Sequence, residues 1–456
     1  MKCNLYRVVL AAAMLINAVC AEGQVVALKA PSADEVVIGN PLVSRDAENI
    51  IVEYDLLLGE QVHSCNVELQ VSTDAGNTFR QISDGLTGDR NGLSSSGHKT
   101  IRIPLSRYAR QFTGKSMAFN LVVESIIVAP ENLSVKGVAN CYIVSKRGSY
   151  KFLTVKGNSS DNVGDVKSVE VLWESFGTST APKEGDLIKS VSYTDGHVTF
   201  QTADTFKEGN AVIAAKDASG KILWSWHIWL TDQPGKCVYA NNAGTMMDRN
   251  LGATSATPGE VGVLGLLYQW GRKDPFLGSS SISDDAEAKS TITWPSAVSS
   301  SSSCGTIAYA TEHPTTFIAN NDANEDWYYS GTSSTDDTRW QSTKTIYDPC
   351  PAGWRVPDGG SNGVWNKAGF KGQSYDSSDE GMLFGSGISS PATWYPAAGY
   401  RGFDGSLCGV CGHGEYWSVA PNGYYAYRLY FNFFGYVLPT GSVVRAEGQS
   451  VRCLQE

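Results

Sequence analysis

The chain of 456 residues carries six histidines, at 63, 98, 197, 227, 313 and 413, and no two fall within one helical turn. Zinc chemistry of the HExxH kind needs two imidazoles on one helix face, so it is excluded. There is no GxxxxGK[ST] phosphate loop and no GxGxxG dinucleotide turn in the sequence. Cys408-x-x-Cys411 is the one close cysteine pair. It reads first as a structural pair and a disulfide candidate, with a redox couple or half a zinc site as alternatives. Gly412 separates Cys411 from His413, which rules out a haem attachment site. Carboxylate pairs such as Asp404 with Glu415 are conceivable acid/base partners, but sequence gives no separation between them. The run 320–326 (NNDANED) offers oxygen ligands without EF-hand spacing and reads as a polar loop. No catalytic residue, metal ligand or cofactor is therefore expected.

The densest recognition chemistry lies near the C-terminus, in 423–439 (GYYAYRLYFNFFGYVLP). Alternation points Leu429, Phe431 and Phe433 inward and Arg428, Tyr430 and Asn432 outward, with Tyr424, Tyr425, Phe434 and Tyr436 in flanking turns. Tyrosine, asparagine and arginine together resemble an antibody paratope: broad rings of low side-chain entropy with adaptable hydrogen bonds. Tyr424, Tyr425, Arg428, Tyr430, Asn432, Phe434 and Tyr436 form the expected ligand-contact set. An aromatic core hairpin is the plainer alternative.

Residues 1–21 have the form of a secretory signal: Lys2 and Arg7, an apolar stretch from Val8 to Val19, and small residues before a cut at Glu22. A lipoprotein reading through Cys20 is weakened by Asn17 and Val19. No later stretch reaches the roughly 18–20 apolar residues that span a bilayer. The expected address is exported: cell surface, outer-membrane-associated or extracellular. The formal net charge of −10 argues against a nucleic-acid partner. With 42% hydrophobic and 18% charged residues, the chain is globular rather than disordered, and its length suits several domains. Eight cysteines (65, 141, 237, 304, 350, 408, 411 and 453) lie beyond the signal, an even number that permits disulfides whose pairing sequence cannot fix.

The elements that must carry the recognition stretch are mainly strands. Residues 22–138 read as an Ig- or fibronectin-like β-sandwich, with strands at Ile50–Leu58, Cys65–Val71, Ile101–Leu105 and Met117–Val128. Ser72-x-Asp74-x-Gly76-x-x-Phe79 resembles an Asp-box but occurs once, so it reads as a capped hairpin turn. Residues 139–235 form a second sandwich, with strands at Phe152–Val155, Val169–Trp173, His197–Gln201, Ala211–Ala215 and Ile222–Leu230. The tryptophans of the last strand could be a carbohydrate platform, but five same-face apolar residues favour a core. Gln233-Pro-Gly235 reads as a linker. Residues 236–456 are rich in Trp and Gly, lack long strands, and include a Ser-rich stretch at 278–304 that reads as a solvated loop.

Within 236–456, the phrases Met247–Ala253 (MDRNLGA), Leu267–Phe276 (LYQWGRKDPF), Tyr347–Pro357 (YDPCPAGWRVP), Tyr395–Tyr400 (YPAAGY), Gly414–Ser418 (GEYWS) and Ser450–Cys453 (SVRC) occur together. This set resembles the Fibrobacter succinogenes major paralogous domain of exported Bacteroidetes proteins. Phrases at Asn140–Val144 and Trp224–Trp229 resemble segments that accompany it. The resemblance implies an α+β, C-type lectin-like domain with little regular structure, related to formylglycine-generating-enzyme-like folds. No motif here supports the copper chemistry of those enzymes. A Cys350–Cys453 bridge would tie down the chain end and contribute about 3–5 kcal/mol for a loop of about 100 residues. Trp354 and Trp417 are the expected core anchors. The C-terminal stretch also resembles variable lectin-like targets of diversity-generating retroelements. The fixed frame there would be Leu429, Phe431, Gly435, Pro439, Arg445, Gly448 and Ser450–Cys453.

The expected molecule is mainly β: two sandwiches followed by a lectin-like domain. Its expected role is non-enzymatic recognition of a glycan or protein ligand at a cell surface. The alternatives are a structural or tip subunit of a fimbria or fibre, with assembly partners, and a variable retroelement target.

Overall fold

The computed structural model describes residues 27–320, 325–329, 331–332, 335–372, 374–385 and 392–456. The signal-peptide stretch 1–21 lies outside them. Among the described residues the fold is mainly β, with three short α-helices. The chain divides into two compact units. One is Met1–Glu131 with Arg147–Ser149; the other is Asn132–Lys146 with Tyr150–Glu456.

In the first unit, strands β1 (Val36–Arg45), β2 (Asn49–Leu58), β3 (Val62–Ser72), β4 (Arg80–Ile82), β5 (Thr87–Gly88), β6 (Gly97–Pro104) and β7 (Ala118–Val128) form two sheets. Their orders are β1-β2-β6-β5 and β4-β3-β7. Period-two patterning places Ile50, Val52, Tyr54 and Leu56 of β2 against Val67, Leu69 and Val71 of β3 in one core. Pro104 ends β6 and precedes helix α1 (Leu105–Phe112), whose Tyr108 and Phe112 stack at 5.5 Å. The Asp-box-like residues do form a capped turn. Asp74 accepts from the Thr78 amide (2.9 Å) and hydroxyl (2.6 Å), and Ser72 Oγ accepts from the Gly76 amide (2.8 Å).

The second unit begins with β8 (Cys141–Val144), β9 (Ser149–Leu153, in this unit from Tyr150), β10 (Ser168–Ser175), β11 (Ile188–Thr194), β12 (His197–Thr202), β13 (Gly209–Lys216) and β14 (Ile222–Leu230). Strands β11, β12 and β9 are neighbours in one sheet, and β10-β13-β14-β8 is the order of the other. The tryptophans of β14 are core residues. Trp224, Trp226, Ile228 and Leu230 pack with Phe152 and Phe200 between the sheets. The opposite face is buried as well. Trp229, Cys141, Val212 and Trp173 join Met247, Leu251, Tyr268 and Trp270 of the following segment in a single core. That double burial is why β13 carries small and branched apolar residues on both faces.

The seam is polar where hydrophobic residues give out. Lys273, only 4% exposed, donates to the Ser225 carbonyl (3.1 Å) and to Asp274 (2.6 Å) and lies 4.6 Å above the Trp224 ring. The Asn140 amide donates to the carbonyls of Ile346 (2.7 Å) and Asp348 (2.9 Å). His227 meets Asn210 at 2.9 Å, and burial pushes its pKa down to about 3, so it sits neutral in the core. The Ser-rich stretch is solvated along much of its length, as expected, and is anchored at a few points. Ser279, Ala288 and Ser300 are buried, the Thr291 amide donates to the Glu174 carbonyl in β10, and the Lys289 amide donates to the Thr178 carbonyl just beyond it.

The rest of the unit contains β15 (Lys236–Tyr239), β16 (Gly244–Met247), β17 (Leu266–Gln269), β18 (Phe276–Leu277), helix α2 (Ile307–Glu312), β19 (Trp354–Arg355), helix α3 (Val364–Lys367), β20 (Gly381–Phe384), β21 (Thr393–Pro396), β22 (Ala398–Arg401) and β23 (Leu407–Val410). It closes with β24 (His413–Asn422), β25 (Tyr425–Asn432), β26 (Val437–Val444), β27 (Gly448–Ser450) and β28 (Leu454–Gln455). The expectation of no long strands after 236 is corrected here: β24, β25 and β26 have ten, eight and eight residues. The largest sheet runs β18-β17-β27-β24-β25-β26. Cys350 and Cys453 are joined, with Cα atoms 6.1 Å apart. Trp417 is fully buried and donates to the Tyr268 carbonyl at 2.8 Å, whereas Trp354 is only partly buried against the same core.

Candidate functional site

The recognition stretch is β25 with its two turns. Register places Glu415 opposite Tyr430, Trp417 opposite Arg428 and Asn422 opposite Tyr425. The inward residues are Ala426, Leu429 and Phe431, all buried, with Phe431 edge-on to Phe384 at 5.6 Å. Phe433 corrects the alternation: the strand has ended, and the ring is 50% exposed against Phe434, centroids 3.9 Å apart.

The seven expected contact residues do not form one surface. Tyr424 and Tyr425 are exposed at the turn after β24. Phe434 (81% exposed) and Tyr436 are exposed at the turn after β25. Eight residues of strand separate these turns, roughly 25 Å at about 3.3 Å per residue. Asn432 is a turn builder rather than a free contact group. Its Oδ1 accepts from the Phe434 (3.1 Å) and Tyr436 (3.2 Å) amides, and its Nδ2 donates to the Tyr430 hydroxyl (3.2 Å).

Arg428 is likewise not an outward group. Its side chain is 14% exposed, ion-paired with Glu415, 3.9 Å from Glu447, and 5.0 Å from the centre of the Tyr430 ring. Gln449 donates to Glu415 (2.9 Å) and Glu447 (3.0 Å). Burial pulls the Arg428 guanidinium below its ordinary range, and burial pushes Glu447 up to about 7 against the opposing pull of Arg428. His413 stacks on Tyr400 (6.0 Å) and meets Tyr430 edge-on (5.6 Å). Burial and then Arg428 lower its pKa, so the ring stays neutral. Sequence reasoning missed Glu447 and Gln449. Their spacing of two, beside the SVRC phrase, was the available signal.

Cys408 and Cys411 carry free thiols in the structure and are not bridged. Burial pushes both thiols up, which disfavours the reactive thiolate. Among the described residues, no three His, Cys, Asp or Glu side chains come together to hold a metal. Asp404 caps its own turn, accepting from the Ser406 amide (2.9 Å) and hydroxyl (2.6 Å), while Glu415 belongs to Arg428. Of the polar run 320–326, residues 321–324 lie outside the described structure, and Asp326 is a buried partner of Arg339. Residues 359–363 match GxSxG in spacing but form a 3-10 turn, with Ser361 exposed and no histidine bonded to it among the described residues.

A separate cleft of about 680 Å3 opens beside the end of β24. Asp337, Gln341, Asp358, Asn362 and Lys367 line it, over a strip formed by Val419, Ala420 and Pro421. Asp337 accepts from Arg445 (2.6 Å). Asp358 accepts from Arg355 (2.6 and 3.1 Å) and from the Ser342 hydroxyl (2.6 Å). Burial pushes Asp358 up, and the Arg355 and Ser342 bonds more than offset this, so the carboxylate is held below its ordinary range. No family model matches the chain, and no curated protein matches it.

Proposed function

We propose that this chain is an exported, non-enzymatic recognition protein whose C-terminal, lectin-like body offers exposed rings to a glycan or protein at a cell surface. One observation carries the reading. Six aromatic side chains are exposed among the described residues, and five of them (Tyr424, Tyr425, Phe433, Phe434 and Tyr436) fall within 424–436. Exposed rings cost solubility and contribute nothing to a core, so their concentration in the two turns that flank β25 points to a partner. The resemblance to the Fibrobacter succinogenes major paralogous domain, and an Ig-like reading of the two-sheet first unit, support the same architecture. The full chain is expected to bind a subset of an array of glycans and surface proteins. Phe434→Ser with Tyr436→Ala should cut that affinity at least tenfold with an unchanged melting temperature. Unchanged affinity would move the site elsewhere.

The alternative of a fibre subunit draws on β7, an eleven-residue strand at the edge of its sheet. Concentration-dependent polymers of the purified chain would favour it.

A further inference from the structure

We infer that the cleft beside the end of β24 is a binding subsite for a neutral saccharide, distinct from the exposed rings of the turn after β25. The inference rests on the recognition reading above and narrows it to one ligand class. The cleft's volume, about 680 Å3, lies within the roughly 300–1,000 Å3 typical of small-ligand sites.

Its chemistry suits hydroxyls. Asp337 and Asp358 are fixed by guanidinium groups, and Arg445 is fully buried while Arg355 is 14% exposed. A carboxylate has about four acceptor positions, so each keeps capacity for further donors after its arginine is satisfied. Gln341 and Asn362 present amides that donate and accept at once, which matches adjacent hydroxyls that also do both.

Charge argues for neutrality. The two carboxylates are balanced by the two arginines that hold them, leaving Lys367 as the remaining charge in the lining. Lys367 disfavours a cation, the two carboxylates that themselves line the cleft disfavour an anion, and a polyhydroxylated neutral ligand loses nothing. Ala420 and Pro421 give the apolar C–H face of a sugar ring a surface to cover. Because the arginines fix the acceptors before any ligand arrives, little ordering is needed on binding.

The test is hydrogen exchange on the full chain with a panel of neutral oligosaccharides, followed by titration of any binder. The expected result is slowed exchange over 340–343 and 358–363. Gln341→Ala with Asn362→Ala, both exposed positions, should then weaken binding at least tenfold without changing the melting temperature. Slowed exchange confined to 424–436, affinity unchanged in the double variant, or a preference for charged sugars would overturn the saccharide cleft and leave the recognition reading standing. So would binding of a protein or peptide with no binding of any saccharide. Failure of every glycan and protein on the array would overturn both.

Discussion

Arg428, Glu415, Glu447 and Gln449 meet beside β25, where burial pulls the Arg428 guanidinium down and pushes the Glu447 carboxyl up. Glu447 is an acid whose folded-state pKa, about 7, is raised above its ordinary 4.5. Folding therefore favours its neutral form. Its contribution to stability is full below about pH 4.5 and is lost as the pH rises to about 7. Glu447→Gln keeps the shape and removes the titration. Its stability relative to the parent should rise by on the order of 3 kcal/mol between pH 4.5 and pH 8, taking about 1.4 kcal/mol per pKa unit. Denaturant titrations of both proteins at the two pH values measure this, and a flat difference would refute it. The cluster also shows where residue-level reading stopped. Alternation assigned Arg428 to the face opposite Leu429 and Phe431. It could not say that this face is covered, because the covering residues, Glu447 and Gln449, arrive from outside the hairpin. The same gap hid the work of Asn432, whose amide is spent on its own turn.

At the scale of elements, β25 separates two kinds of ring. Phe431 is fully buried against Phe384 and Tyr416, while Phe433 and Phe434 stand in solvent one turn later. Phe431→Ala should cost about 3–5 kcal/mol. Phe434→Ser should stay within about 0.5 kcal/mol of the parent. Chemical denaturation of the two variants checks the contrast, and equal costs would mean the turn is packed after all. The frame proposed from sequence largely coincides with burial: Leu429, Phe431, Arg445 and Ser450–Cys453 are all buried. Of the seven expected contact residues, Arg428 and Asn432 hold structure instead. Some strand positions are legible in the sequence, Ile222–Leu230 with its observed limits and Met117–Val128 within one residue, while Val36–Arg45 and Ile188–Thr194 are not. The β24–β26 meander was not, because Gly and aromatic residues obscured its period-two pattern.

For the whole molecule, the boundary drawn at 235 marks a change of composition and not a separation of cores. The sheet containing β13 and β14 is covered on one face by its partner sheet and on the other by residues after 236. Residues 236–456 expressed alone would expose the surface that meets Trp173 and Trp229. Burying such rings removes about 150–250 Å2 each from water. That fragment should bind hydrophobic dye and lack a sharp near-ultraviolet dichroism signal, whereas residues 132–456 should give both a cooperative melt and that signal. A folded 236–456 would contradict the shared core. Sequence could not show this. A strand buried on both faces and a strand in a free-standing sandwich both read as apolar runs.

The four-stranded sheet β15-β16-β28-β19 places Lys236–Tyr239 and Leu454–Gln455 in one small assembly, fastened again by the bridge at Cys453. The more than 200 residues between them leave and return at one place. Tension applied between the sandwich side and the chain end therefore passes through this clamp in a short path. The strands that carry the exposed rings lie off the side of that path, mechanically slack. A pull across the clamp would leave the shape of those turns unchanged until the clamp itself gave way.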